Sequence, residues 1–247
     1  MELDNQLALV TGGASGIGKA CVEALNRRGV RVVIWDKQFS TPLTDAFACD
    51  VSSASEVEHA MQKTLANIGV PRICIHCAGI APARRMVGKE GAMPLDDFQQ
   101  VIQVNLVGTF NVMRVVSAAM TQLEPLGESN ERGVIITTAS IAAFEGQIGQ
   151  MAYSASKGGV VSMTLPAARE LAQYGIRVNT IAPGLFATPL LLNMPQDVQQ
   201  SLAGTIPFPK RFGHPEEFAA LALHLIENSM MNGEVIRLDG ALRMQPK

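Results

Sequence analysis

Cysteine is scarce, with four in 247 residues, too few for a disulfide scaffold. Charged side chains make up only 17% of the chain, and 20 basic against 22 acidic residues leave a net charge of −2. That balance offers no broad electrostatic footprint for nucleic acid or an anionic membrane, so neither partner is expected. No apolar run approaches the roughly 18 residues of a membrane span; Val32-Val33-Ile34-Trp35 is typical of the longest. The opening Met1-Glu2-Leu3-Asp4-Asn5-Gln6 has neither the basic start nor the apolar stretch of a secretion signal, and a reducing cytoplasm is the expected location. Metal-site patterns are missing too. Cys74-Ile75-His76-Cys77 has the spacing of half a zinc or redox site, but it lies in a strand-like run where residues three apart face opposite ways. No second Cys pair and no HxxxH follows, so no metal is expected.

What is present is a core. Hydrophobic residues make up 47% of the chain, and a domain near this size buries roughly 70–75% of its unfolded surface. No repeat or Pro/Gly/Ser linker divides the sequence, so residues 1–247 are expected to form one domain. Seven short β-branched runs, at 7–11, 31–35, 46–49, 72–77, 133–139, 176–182 and 234–238, alternate with segments of helical period. The helices are predicted at 16–28, 55–67, 96–121, 151–173 and 214–227. This is the pattern of an α/β, doubly wound, seven-stranded parallel sheet with helices on both faces. Two stretches, 81–95 and 185–211, fit no element and are too long for ordinary connections, which marks them as substrate loops. Pro166 inside the fourth helix predicts a local kink and not an end.

The first strand runs into Thr11-Gly12-Gly13-Ala14-Ser15-Gly16-Ile17-Gly18 and then into a helix. Glycines there permit a tight turn and a close approach of backbone N–H groups to a pyrophosphate at a helix N-terminus. The spacing GxxxGxG differs from the usual GxGxxG fingerprint, and an ordinary glycine-rich turn is the competing reading. Asp36 closes the second strand 18 residues after Gly18, near the offset at which a carboxylate meets adenosine ribose hydroxyls and repels a 2′-phosphate. NAD is therefore expected over NADP, although Lys37 offers a cation beside it. Tyr153 and Lys157 are four apart in a helical segment and share a face. An ammonium near a phenol, joined by the positive nicotinamide of an oxidised cofactor, favours phenolate, which can accept an alcohol's proton. Ser140, 13 residues before Tyr153, is placed to hold the same substrate oxygen. Asn105 falls on the apolar stripe of helix 96–121 and needs a backbone group, Lys157 or a water as partner. Taken singly, these four also read as a packed ring, a surface charge, a helix cap and a satisfied core amide. Their joint occurrence after a dinucleotide turn favours the catalytic set.

Together these residues resemble the short-chain dehydrogenase/reductase family over essentially the whole chain. The turn at Gly12, Gly16 and Gly18, Asp50-Val51, Asn105, Ser140, Tyr153-xxx-Lys157 and Pro183-Gly184 leading to Thr188 occur in that family's order. The resemblance implies a bound nicotinamide cofactor and a Ser-Tyr-Lys-Asn group. In it Lys157 holds the nicotinamide ribose and lowers the Tyr153 pKa, Asn105 anchors a proton-relaying water, Asp50 and Val51 meet the adenine, and Thr188 meets the carboxamide. Where the family commonly has Asn-Asn-Ala-Gly, this chain has His76-Cys77-Ala78-Gly79, which removes the usual side-chain hydrogen bonds but still lets the backbone of Ala78 and Gly79 approach the cofactor. The run from Ala139 to Gln147, the run from Ile181 to Phe186 and the ending Gly233-Glu234-Val235-Ile236-Arg237-Leu238-Asp239-Gly240 are similar to the type-II 3-hydroxyacyl-CoA dehydrogenase branch. That branch implies Ser15, Ile17, Cys77 and Phe186 as further cofactor contacts, Gln147 and Gln150 beside the substrate thioester, and a homotetramer assembled through helices 96–121 and 151–173 and the tail 234–247.

An NAD-dependent oxidoreductase acting on a 3-hydroxyacyl-CoA is the leading expectation. An apolar lid from Leu185, Phe186, Leu190, Leu191 and Leu192 would cover the acyl chain, and Arg84, Arg85 or Lys89 would meet coenzyme A phosphates unless they form a merely solvated loop. The competing expectations are an NADPH-dependent 3-oxoacyl-acyl-carrier-protein reductase, a hydroxysteroid or alcohol dehydrogenase, and a cofactor-binding scaffold without chemistry.

Overall fold

Side chains on successive strand positions sort to opposite faces, and that alternation builds the molecule. The computed structural model describes residues 1–246, and at Leu190 the backbone alone. The roles expected of Lys247 in assembly and of the Leu190 side chain in a lid therefore lie outside the described residues. Seven parallel strands form the sheet: β1 (Leu7–Thr11), β2 (Arg31–Asp36), β3 (Ala46–Ala48), β4 (Ile73–His76), β7 (Gly133–Thr138), β8 (Ile176–Pro183) and β9 (Val235–Leu238). Their spatial order is β3-β2-β1-β4-β7-β8-β9. Ala8 and Val10, Ile73 and Ile75, and Val134 and Ile136 point to the face covered by α1 (Gly16–Arg27) and α8 (Pro215–Glu227). Leu9, Cys74 and Ile135 point to the other face, covered by α2 (Ala54–Asn67), α4 (Gly108–Met120) and α5 (Met151–Ala172). Strands apolar on both sides in this way belong to a parallel sheet buried between two helical layers. Every strand read from the sequence is present, and every helix but the one over 96–121 is a single helix, with ends moved by at most one residue.

The order reverses between β1 and β4: the chain leaves β1 toward β2 and later returns to place β4 on β1's other edge. Ligands of open parallel sheets sit outside the strand carboxyl ends at such a switch point.

Three expectations need correction. The helix expected over 96–121 begins as α3 (Leu95–Ile102), passes through one π-helical turn, Gln103–Val107, and continues as α4. Segment 81–95 holds a two-stranded antiparallel ribbon, β5 (Val87–Gly88) with β6 (Gly91–Ala92). Segment 185–211 holds α6 (Pro189–Leu192) and α7 (Gln196–Gly204). Both segments mix short apolar stretches with turn residues, so neither shows a sustained period. The α5 helix runs through Pro166 without ending. The stretch Leu95–Met120 is the one long and apolar enough to cross a bilayer among the described residues, but Val112, Val116 and Met120 are buried against the sheet.

A buried ion pair anchors the edge away from the switch point. Arg177 on β8 bonds Glu131 at 2.9 Å and donates to the carbonyls of Leu225, Ile226, Asn228 and Met231. It thereby satisfies two of the orphan carbonyls in the last turn of α8, those of Leu225 and Ile226.

Candidate active site

At the end of β1 the turn 12–18 curls into α1. Gly12 and Gly16 adopt φ of +65° and +52°, which favours glycine. A Cβ on Gly12 would lie 2.8 Å from the Ala78 nitrogen, and one on Gly18 would overlap the Gly12 carbonyl. Ser15 caps α1 with extended backbone but makes no side-chain cap bond, so the first N–H groups of α1 face outward without a side-chain acceptor. Open backbone donors at a helix N-terminus, in a cradle that side chains would fill, fit the phosphates of a dinucleotide. Ile17 packs partly buried against the core on the α1 side. Thr188, at the start of α6, stands over the turn, 3.6 Å from where a Gly16 Cβ would be.

Asp36 ends β2 beside this turn, and its carboxylate accepts the Ala14 N–H at 3.0 Å. Lys37 is not free to greet a phosphate, because its ammonium lies 2.6 Å from Asp50. Burial pulls the Asp50 carboxyl upward, but Lys37 and two bonds from Ser52 outweigh it and hold the group below its ordinary value. Val51 is buried beneath Gly108, whose Cβ would come within 2.8 Å of it, and its carbonyl accepts from Asn111 at 2.9 Å.

His76 and Cys77 follow at the end of β4. Thr11 Oγ1 accepts the Ala78 N–H at 3.3 Å and lies 2.9 Å from His76 Nδ1. Either the hydroxyl donates to Nδ1 or Nδ1–H donates to the hydroxyl's second lone pair, so Thr11 satisfies Nδ1 in both tautomers. Nε2 is buried and has no partner among the described residues. Burial, with Lys157 nearby, pushes the His76 pKa down to about 3. The imidazole is neutral in the folded protein, whereas the unfolded chain binds a proton below the ordinary value of 6.5. His76 stability is thus complete above about pH 6.5 and is lost as pH falls toward 3, by roughly 3 kcal/mol at pH 4. His76→Asn is expected to lower the acid-unfolding midpoint, read by circular dichroism; an unchanged midpoint would contradict the assignment. Cys74 and Cys77 do not form a site: Cys74 packs on the α2 face, while Cys77 packs on the α1 face and accepts from Thr138 Oγ1 at 3.8 Å. The described residues contain no cluster of His, Cys, Asp and Glu able to hold a metal.

Gly79 is where the halves meet. A Cβ there would sit 3.1 Å from Asn105 Oδ1 and 3.6 Å from Lys157 Nζ. Asn105 lies in the π turn, a distortion that often marks functional sites. Its side chain bonds both polar groups of Ile80, each at 2.8 Å, and donates to Ser156 Oγ at 3.1 Å. Of the partners foreseen, a backbone group supplies the bonds and Lys157 does not. Lys157 instead donates to the Thr138 carbonyl at 2.7 Å, with Nζ 5.8 Å from the Tyr153 ring centre. Burial brings its pKa down to about 8, leaving it mostly charged at neutrality with two N–H donors to spare.

The expected phenolate depends on the nicotinamide charge joining that of Lys157, and the protein's own groups bear on the same balance. Burial raises the phenol above its ordinary value, and the Ser140 hydroxyl offsets part of that rise. Two buried groups both favour their neutral forms, so a further positive charge is needed to make the phenol a base. Ser140 accepts the Ala142 N–H at 3.1 Å, capping the 3-10 turn Ile141–Ala143. It is a cap as well as a neighbour of the Tyr153 hydroxyl.

The substrate side differs most from expectation. Pro183 ends β8 and is buried. Phe186 is no lid: it is buried, bridges to Gly213, and its ring packs edge-on to Phe218 at 6.4 Å, while its carbonyl accepts the Thr188 N–H at 2.7 Å. Leu185 and Leu191 pack against Ile141, Ile206, Phe212 and Leu242 beside Ser140, while Leu192 is exposed. Gln147 donates its side-chain amide to the Gln245 carbonyl at 3.0 Å, and its N–H goes to Gln150 Oε1 at 3.0 Å. Arg84 pairs with Asp97. With Arg85, Phe144, Ile148 and Met151 it borders a groove of about 590 Å³ that Ser140 and Tyr153 do not line. Met151 and Ser154, the helical wall of that groove, are rotated away from Tyr153 by about 100° per residue along α5. The polar partners that sequence reasoning missed are Thr11, Thr138, Ile80 and Ser156. Only Thr11 had a local signal, its place at the strand end before the glycine turn.

Comparison with known proteins agrees with this geometry. A short-chain dehydrogenase model, adh_short_C2, described as Enoyl-(Acyl carrier protein) reductase, matches residues 12–242. The 3-hydroxyacyl-CoA dehydrogenase type-2 of Bos taurus is 53% identical over 97% of this chain and 96% of its own. The crystal structure of the protein of that name from Mycobacterium avium superposes with a TM-score of 0.92 at 40% identity, covering 100% of both chains. A more distant relative, the 3-oxoacyl-[acyl-carrier-protein] reductase FabG of Thermotoga maritima, is 33% identical over 98% of this chain and 99% of its own. The Rossmann-type sheet thus has a full-length structural counterpart, and this chain belongs to the short-chain dehydrogenase/reductase family of oxidoreductases.

Proposed function

We propose that the protein oxidises a 3-hydroxyacyl-CoA to the 3-oxoacyl-CoA with NAD as cofactor. The observation that carries the chemistry is Tyr153 beside Ser140 and Lys157 at the mouth of the glycine turn; the 53% identity to a dehydrogenase named for this substrate supports the substrate class. Bound NAD would supply the hydride acceptor and a fixed positive charge near the phenol. The Ser140 O–H orients the substrate oxygen, Tyr153 takes its proton, and Lys157 directs its two free N–H donors to ribose hydroxyls. Asn105, held by Ile80, keeps the floor of the site in place and leads the proton outward through water. Asp36 favours NAD over NADP by accepting ribose hydroxyls, with Asp50, Val51, Ala78, Gly79, Cys77 and the Phe186 backbone along the same crevice.

A homotetramer in the cytoplasm completes the proposal. Val107, Phe110, Met151 and Leu165 leave large apolar side chains exposed on the π turn, α4 and α5, the kind of surface that subunits cover, and all four cysteines are free thiols, as suits a reducing compartment. Purified protein is expected to form NADH when given NAD and a 3-hydroxyacyl-CoA, followed at 340 nm. Turnover with NADPH and a 3-oxoacyl carrier-protein thioester alone would replace this reading with the reductase.

A further inference from the structure

The connection from Ser140 to Tyr153 is held from outside through one carboxylate. Glu145 accepts both terminal nitrogens of Arg237, at 2.8 and 3.1 Å, and the Met244 N–H at 3.3 Å, and lies 3.3 Å from the Arg243 Nε. Arg237 is itself fixed by Asp239 at 2.7 Å and the Leu242 carbonyl at 2.9 Å, with its guanidinium 5.3 Å from the centre of the Phe144 ring. The tail then runs along the connection. Gln245 O receives the Gln147 amide, and Pro246 O receives the Ile148 N–H at 3.0 Å. On the opposite side the Gly149 carbonyl accepts the Arg84 N–H at 2.8 Å, tying in the loop before the β5–β6 ribbon.

Such a network on one carboxylate differs from an isolated surface pair, because its members hold one another in place. The tail it holds also takes a side-chain N–H of Gln147, whose backbone N–H goes to Gln150 Oε1, so the orientation of both glutamines is tied to where the tail lies.

We propose that Glu145 is a positioning residue which, with Arg237 and tail residues 244–246, fixes the Ser140–Tyr153 connection and makes the C-terminal tail a determinant of how the acyl thioester is held. The inference rests on the thioester reading of the site. The bidentate fork of Arg237 suits the role, since a lysine keeps the charge and loses the fork.

The test uses the full chain and the variants Glu145→Gln, Arg237→Gln and Arg237→Lys. For Glu145→Gln the KM for a 3-hydroxyacyl-CoA is expected to rise at least fivefold while kcat stays within twofold and the KM for NAD is unchanged. Hydrogen exchange is expected to quicken at 144–150 and at Met244, and to stay unchanged across 12–18. Arg237→Lys is expected to recover part of what Arg237→Gln loses. An unchanged thioester KM, or equal losses for thioester and NAD, overturns the proposal, as does unaltered exchange at 144–150. Should the wild-type protein turn over no 3-hydroxyacyl-CoA, the substrate reading fails separately, and exchange alone then decides whether Glu145 clamps the connection.

Discussion

Tyr153→Phe is expected to lower kcat/KM by about 10²–10⁴-fold, the range that a positioned acid or base contributes, with NAD binding held within a few-fold. The reasons are local. Phenylalanine keeps the ring and the packing of α5, and it removes only the hydroxyl that interacts with Ser140. Lys157 keeps its bond to the Thr138 carbonyl, which does not involve the phenol. Steady-state kinetics together with a direct NAD titration separate the two effects. A variant retaining full turnover would remove the phenol from the chemistry; a variant that had lost NAD binding would make Tyr153 a cofactor ligand first.

The second large effect concerns Asp36. Wild-type protein is expected to prefer NAD to NADP, and Asp36→Ala is expected to cost the NAD reaction about 10–100-fold, as hydrogen bonds to a charged group are worth about 1.5–3 kcal/mol. Two contributions are combined in that loss: the ribose contact and the bond from the Ala14 N–H that shapes the phosphate turn. Asp36→Asn tells them apart, because it keeps an acceptor for Ala14 while removing the charge that repels a 2′-phosphate. If Asp36→Asn narrows the NAD/NADP ratio with little loss of NAD turnover, the charge sets the preference. A wild-type protein that favours NADPH would overturn the argument, and the Lys37–Asp50 pair makes that outcome unexpected, since the one cation beside the adenosine end already has a carboxylate partner.

Much of this was legible because the features are local. The strand apolar runs, the glycine turn and the Tyr153–Lys157 spacing are set by neighbours within a few residues, and periodicity reports them directly. The π turn at Asn105 was not legible, because one shifted hydrogen bond inside a helix leaves the apolar pattern almost intact. Phe186 was misread for a related reason: hydrophobicity marks a side chain that avoids water, but a lid and a core both satisfy that, and only the bridge to Gly213 decides between them. The Arg84, Arg85 and Lys89 loop carried the right charge for coenzyme A phosphates, yet the pairing of Arg84 with Asp97 depends on a contact across 13 positions that no local rule specifies. Sequence spacing shows the proximity of Tyr153 and Lys157 but says nothing of how deeply both groups are buried.

The reversal of strand order between β1 and β4 has an evolutionary corollary. The crevice it opens is drawn by the path of the main chain, with glycine backbone for part of its lining, so its outline does not hang on the phenol of Tyr153. A descendant that mutated its phenol would keep that outline without the chemistry.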